Sequence, residues 1–171
     1  MQNHFDLFRL PQQFTLDVDA LDAAYREVQS QVHPDKFVYA GDAEKRVAMQ
    51  WATRANEAYQ TLKNPLKRAQ YLCEQNGVDL RTESNTAMPM AFLMQQMEWR
   101  EALEDARGAK DMTALEALDK QLQNGRKDVL RQVEEHLASG EFVQAAQEVR
   151  ALMFLEKFAE EVGFAFEALD G

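Results

Sequence analysis

The chain has 171 residues, of which 46% are hydrophobic, a net charge of −10 and a single cysteine. One cysteine excludes an internal disulfide framework and a cysteine-rich zinc site. No apolar run approaches the roughly 20 residues of a membrane span. The acidity is uneven. Residues 1–78 carry 9 Lys and Arg against 10 Asp and Glu, net −1, whereas residues 79–171 carry 10 against 19, net −9. So acidic a second half argues against nucleic acid or an anionic membrane as partner, because both would repel it. The N-terminus shows no basic stretch leading into an apolar core. With the lone Cys73 read as a small helix-core residue, a reducing, cytoplasmic setting is expected.

Gly and Pro are scarce, at seven and four, and long stretches are rich in Ala, Leu, Glu, Gln, Lys and Arg. These are good helix formers, and the chain is predicted to be all-α. A short first helix runs from about Phe5 to Leu10 and stops at Pro11. The second begins at Asp17 or Asp19, either of which can cap it. It carries Leu21, Ala24, Tyr25, Val28 and Val32 on one face and ends before Pro34. A loop over about Asp35 to Gly41 follows.

The third helix, about 42–62, has the apolar stripe Ala48, Trp51, Ala52, Ala55, Ala58, Tyr59 and Leu62. Asn64-Pro65 breaks it, and a short fourth helix with Ala69, Tyr71, Leu72 and Cys73 stops near Gly77. The polar run at 79–87 reads as a linker between a domain at 1–78 and another at 88–171. Beyond it lie three long helices, about 89–107, 112–137 and 141–169, with breaks at Gly108 and Ser139-Gly140. Short connections between amphipathic helices predict an antiparallel three-helix bundle. The middle helix carries Leu115, Leu118, Leu122, Val129, Val133 and Leu137. The last carries Phe142, Ala145, Val149, Leu152, Phe158, Val162, Phe166 and Leu169.

His33-Pro34-Asp35 is the motif that carries chemistry. The proline fixes one backbone angle, Asp35 offers a carboxylate, and His33 offers a ring that donates or accepts hydrogen bonds. A bare tripeptide is a weak signal, but its surroundings are ordered. Phe5-Asp6-Leu7-Phe8-Arg9-Leu10-Pro11 opens the chain. The helix with Tyr25-Arg26 runs into the tripeptide, and Lys36-Phe37 follows directly. Ala58-Tyr59-Gln60-Thr61-Leu62 ends the next helix, and Pro65-Leu66-Lys67-Arg68-Ala69-Gln70-Tyr71 comes after. Over residues 4–76 this order resembles the J-domain. The resemblance implies a helical hairpin with two short helices, whose His-Pro-Asp turn docks on an ATPase chaperone of the DnaK type and stimulates ATP hydrolysis. Tyr25, Arg26, His33, Pro34, Asp35 and Lys36 are then the chaperone-binding candidates. One departure stands out. J-domains usually carry several basic residues on the second helix, whereas Arg26 here is flanked by Glu27, Ser30 and Gln31. Lys36, Lys45 and Arg46 restore part of the positive charge.

The second half lacks the Gly/Phe-rich linker and cysteine repeats of common J-proteins. It contains Ala91-Phe92-Leu93-Met94-Gln95-Gln96-Met97-Glu98-Trp99-Arg100-Glu101-Ala102-Leu103-Glu104 and Arg150-Ala151-Leu152-Met153-Phe154-Leu155-Glu156-Lys157. With these segments the chain resembles the HscB family over nearly its whole length. That family delivers the iron–sulfur scaffold protein IscU to the chaperone HscA. Leu93, Met97, Glu101 and Glu104 step by four, four and three and so share a helix face, with Met94, Glu98 and Asp105 alongside. Leu and Met among carboxylates make an adaptable contact patch. The resemblance places the scaffold-binding surface on Leu93, Met94, Met97, Glu98, Glu101 and Phe154, with Glu104 or Asp105 at the last acidic position. The competing reading is that Leu93, Met97 and Phe154 face the bundle core. No metal or cofactor is expected, because His4, His33 and His136 lack ligand spacing. Charge repulsion favours a monomer, though a bundle of this kind can self-associate weakly.

Two other function classes compete. An enzyme using His33 and Asp35 as a proton-transfer pair is disfavoured, because Pro34 restricts their approach and no nucleophile or phosphate-binding loop accompanies them. A J-protein serving a different client differs from the first reading only in what the second half binds.

Overall fold

The structure is a computed structural model, and it describes residues 2–80 and 88–170. Seven α-helices occur among these residues: α1 His4–Leu7, α2 Val18–Gln31, α3 Asp42–Lys63, α4 Pro65–Gln75, α5 Met90–Ala109, α6 Met112–Ala138 and α7 Phe142–Asp170. A 3₁₀ turn, Pro34–Phe37, lies between α2 and α3, and the described residues contain no strand. The all-α reading and its J-domain-plus-bundle architecture hold. Packing divides the chain into two units, Met1–Leu72 and Cys73–Gly171. Most of the expected linker, residues 81–87, lies outside the described residues.

Local sequence explains the ends of the first-unit helices. Asn3 and Asp6 form a reciprocal capping box on α1. That helix is shorter than expected, because Arg9 turns left-handed at φ 57° well before Pro11. Asp17, rather than Asp19, caps α2, its carboxylate accepting from the backbone N–H groups of Asp19 and Ala20. Asn64-Pro65 ends α3 and begins α4 at once. Asn64 Oδ1 accepts from the Lys67 N–H at 3.1 Å, and Pro65 occupies the first helical position, where its missing N–H costs nothing.

The hairpin of α2 and α3 closes on Leu21, Ala55, Ala58 and Leu62, with Phe5 and Phe8 of the α1 segment buried in the same unit. A fully buried leucine contributes about 1.5–3 kcal/mol. Its seam also holds an aromatic stack. Tyr25 and Tyr59 lie 4.1 Å apart and nearly parallel, and Phe8 meets Tyr25 edge-on. The Tyr59 hydroxyl donates to Asp22 at 2.7 Å and accepts from Lys63 at 2.6 Å.

Arg68 is the buried charged residue of this unit. Its guanidinium donates to the Leu62 carbonyl at 2.7 Å and sits 4.8 Å over the Phe14 ring, tying α4 to the end of α3 and to the loop before α2. Burial lowers its pKa, and the carbonyl and ring face offset part of that desolvation. Two members of the expected α3 stripe do not join the core. Trp51 and Ala52 are exposed, because Ala48, Ala55, Ala58 and Leu62 already fill the contact with α2. Cys73 is buried as expected, and desolvation pushes its thiol pKa up to about 11, so it is not a thiolate at neutral pH.

In the second unit, Trp99, Leu103 and Ala106 of α5, Leu115, Leu118 and Leu122 of α6, and Leu155, Phe158, Val162 and Ala165 of α7 form one core cluster. Gly125, within α6, makes room for it. A Cβ there would lie 3.2 Å from the tip of the Trp99 ring, which stacks on Phe158. The α5–α6 break is not at Gly108. The chain stays helical to Ala109 and turns at Lys110, left-handed at φ 52°, whose N–H returns to the carbonyls of Ala106 and Arg107. Asp111 then caps α6. Gly140, at φ 75°, makes the next turn, as glycine does at low cost.

Candidate functional site

The His33-Pro34-Asp35 tip is built from local geometry. His33 has φ −60° and ψ 136°, the extended backbone required before proline, and Pro34 opens the 3₁₀ turn. The imidazole folds back as a cap, Nδ1 accepting from the Asp35 N–H at 3.2 Å. The Lys36 N–H closes the turn on the His33 carbonyl at 3.0 Å. Because Nδ1 accepts, a neutral ring carries its proton on Nε2, which remains a donor. Asp35 Oδ2 lies 3.6 Å from Nδ1, and its side chain is 89% exposed against 58% for His33. The tip therefore offers an imidazole N–H, a carboxylate and the Lys36 ammonium from one rigid turn.

The other two candidates of this set stand apart from the tip. Tyr25 and Arg26 lie two turns back along α2. Tyr25 is half-buried in the hairpin seam, its hydroxyl donating to Asn56 at 3.2 Å, so it sets the spacing of α2 and α3. Arg26 is exposed. Sequence reasoning missed what flanks the tip. Tyr39 is fully exposed and Val38 is exposed beside it. An apolar cavity of about 330 Å³ opens between Val32, Phe37, Val47 and Trp51. The exposed Trp51 was the available signal, but its helical spacing assigned it to the core stripe.

On α5 the buried residues, Trp99, Leu103 and Ala106, all lie from the middle of the helix onward. The N-terminal half exposes Met90, Leu93, Met94 and Met97. Leu93, Met94, Met97, Glu98, Glu101, Glu104 and Asp105 are all exposed, and at 100° per residue they fill an arc of roughly 140° opposite the buried residues. Both acidic alternatives, Glu104 and Asp105, share that arc. Phe154 differs from the rest. It is half-buried against the core, edge-on to Phe92 at 5.7 Å and stacked on Phe158, with the Arg100 guanidinium 5.4 Å from its ring centre. Leu93 and Met97 thus do not line the core, and Phe154 does so in part. Among the described residues no cluster of His, Cys, Asp or Glu is arranged to hold a metal ion, and no helix is long and apolar enough to cross a membrane.

A hairpin with an exposed His-Pro-Asp turn, followed by an antiparallel three-helix unit, defines a J-domain protein with a dedicated helical C-terminal domain. Comparison with known proteins narrows this class. Residues 88–163 match the model of the HSCB C-terminal oligomerisation domain. The chain is 60% identical to the co-chaperone protein HscB homolog of Burkholderia mallei over 168 residues, covering 98% of this chain and 96% of the relative. The homologue from Burkholderia multivorans is 59% identical over the same length. Chaperone HscB from Vibrio cholerae superposes with a TM-score of 0.86 at 38% identity, covering 98% of this chain and 99% of the other. Human co-chaperone HscB shares the fold at 24% identity with a TM-score of 0.89, covering 96% of this chain and 82% of its own. The chain belongs to the HscB co-chaperone family.

Proposed function

We propose that this protein stimulates the ATPase of an HscA-type chaperone, of the DnaK class, through its His33-Pro34-Asp35 turn. In the same role it delivers an IscU-type iron–sulfur scaffold protein to that chaperone, and so supports iron–sulfur cluster assembly in the cytoplasm. It works without turnover or cofactor of its own. The domain at 1–78 engages the chaperone and the domain at 88–171 engages the scaffold, with 79–87 between them.

The observation that carries this reading is the pre-formed tip, polar, exposed and cross-braced by the His33–Asp35 hydrogen bond, in a chain of HscB-like sequence. A rigid tip loses little conformational entropy on docking. Tyr25, Arg26 and Lys36 extend the contact along α2 and the turn. The second contact is assigned to Leu93, Met94, Met97, Glu98, Glu101, Glu104, Asp105 and Phe154. An exposed Leu and Met surface edged by carboxylates is the kind of patch that marks a protein–protein interface.

The test is steady-state ATP hydrolysis by an HscA-type chaperone, with this protein and an IscU-type scaffold added singly and together, beside His33→Gln. More-than-additive stimulation that vanishes in the variant is the expected result. Stimulation indifferent to scaffold would retain the chaperone role and reject the client. No stimulation under any condition would reject both.

A further inference from the structure

A groove of about 690 Å³ is lined by the N-terminal half of α5 and the segment before it together with α6 and α7. Apolar carbon lines its depth, from Phe92, Val129 and the buried Ala151. Three amide side chains, Gln95, Gln132 and Gln147, come to it from three different helices. Met94 and Glu98 also line it, and both belong to the exposed outer arc of α5, so groove and arc form one continuous surface. Glu148 supplies a second carboxylate, held by His136 at 2.7 Å.

We infer that this groove is a second docking element for the client scaffold protein, taking a peptide segment with an apolar side chain flanked by Lys or Arg. This rests on the client assignment above and extends it beyond the outer face of α5. An amide both donates and accepts, so three around an apolar trough suit the alternating N–H and C=O groups of a peptide main chain. The apolar depth suits one or two aliphatic side chains. The carboxylate of Glu98, beside a Glu148 that His136 partly compensates, within a half-chain of net charge −9, favours a cationic occupant and repels an acidic one. A second copy of this chain would bring that same excess of negative charge with it.

The experiment measures binding of a purified IscU-type scaffold to the full chain by calorimetry. Gln132→Trp and Gln147→Trp, both at exposed positions on α6 and α7, fill the groove without substituting any residue of the outer arc, and Leu93→Ala with Met97→Ala alters the arc at two residues that do not line the groove. The expected result is a tenfold or greater loss of affinity in each tryptophan variant, with unchanged melting and unchanged ATPase stimulation in the absence of scaffold. Loss in the arc variant but affinity within twofold of the parent in both tryptophan variants overturns the groove and leaves the client assignment standing. No scaffold binding by the parent chain overturns both. Self-association of the parent in sedimentation, abolished by either tryptophan, assigns the groove to a second copy and likewise overturns the proposal.

Discussion

The turn at residues 33–36 presents polar atoms whose positions are set within four residues. Proline fixes an angle, the preceding residue is forced extended, and the imidazole locks back onto the Asp35 N–H. The outer arc of α5 presents side chains whose positions depend on a core elsewhere. Leu93 and Met97 face solvent because Trp99, Leu103 and Ala106 take the opposite side of the helix. On the proposed reading the tip is a point contact of fixed geometry, suited to triggering a response. On the same reading the arc, a broad surface of methionines and carboxylates, is suited to holding a client while its shape varies.

If that division is correct, each surface fails alone. His33→Gln has the largest expected effect. Its amide cannot reproduce both the ring acceptor for the Asp35 N–H and the Nε2 donor. ATPase stimulation should fall at least about tenfold, equivalent to 1.4 kcal/mol, with scaffold affinity within twofold of the parent. Loss of both in a folded variant would break the comparison. Leu93→Ala combined with Met97→Ala should weaken scaffold binding by about tenfold while leaving stimulation without scaffold intact, as read by titration and ATP turnover.

Stability variants sharpen the same contrast. Gly125→Val crowds the 3.2 Å approach of Trp99 and should destabilise by about 2 kcal/mol in thermal unfolding. It should also lower scaffold affinity, because Trp99 sets the phase of the α5 arc. Tyr59→Phe removes the hydroxyl that links Asp22 and Lys63 but keeps the stack on Tyr25. It should cost about 1 kcal/mol and leave the tip's activity unchanged. A large loss of stimulation in this variant would show that tip geometry depends on the hairpin seam and is not local.

The tip was legible in the sequence because its determinants are contiguous. His33, Pro34 and Asp35 name both the motif and the backbone path, and Asn64-Pro65 names a helix end as plainly. The members of the α5 arc were legible from helix phase, but their exposure was not, since Leu93 and Met97 have the spacing of core residues too. Only the placement of Trp99 against Phe158 and Gly125 settles which side is buried. The same ambiguity misassigned Trp51 to the core. Lys110 could not be anticipated as a left-handed turn, because Gly108 offered a cheaper site two residues earlier. The groove beside α5 was invisible to periodicity, since its lining comes from three helices far apart in sequence.

The smallest expected effect belongs to His136, and it asks whether the groove wall is fixed. Its Nδ1 lies 2.7 Å from Glu148 and its Nε2 3.4 Å from Glu141, so both ring nitrogens face carboxylates. The hydrogen bond to Glu148 raises the imidazole pKa, and the charges of Glu148, Glu141 and Glu135 add to the rise. A raised folded-state pKa means the ion pair's stabilisation is fully present below the unfolded value near 6.5 and is lost as pH rises through the folded value. Comparing His136→Gln with the parent in unfolding at pH 5.5 and at pH 9 should therefore show a parent advantage at the lower pH that fades at the higher. The side chains are partly exposed, which keeps that advantage under about 1 kcal/mol. An advantage that grew with pH would mean the ring is held neutral, donating through one nitrogen only. Glu148 would then stand in the groove as an uncompensated charge, with a stronger pull on a cationic partner.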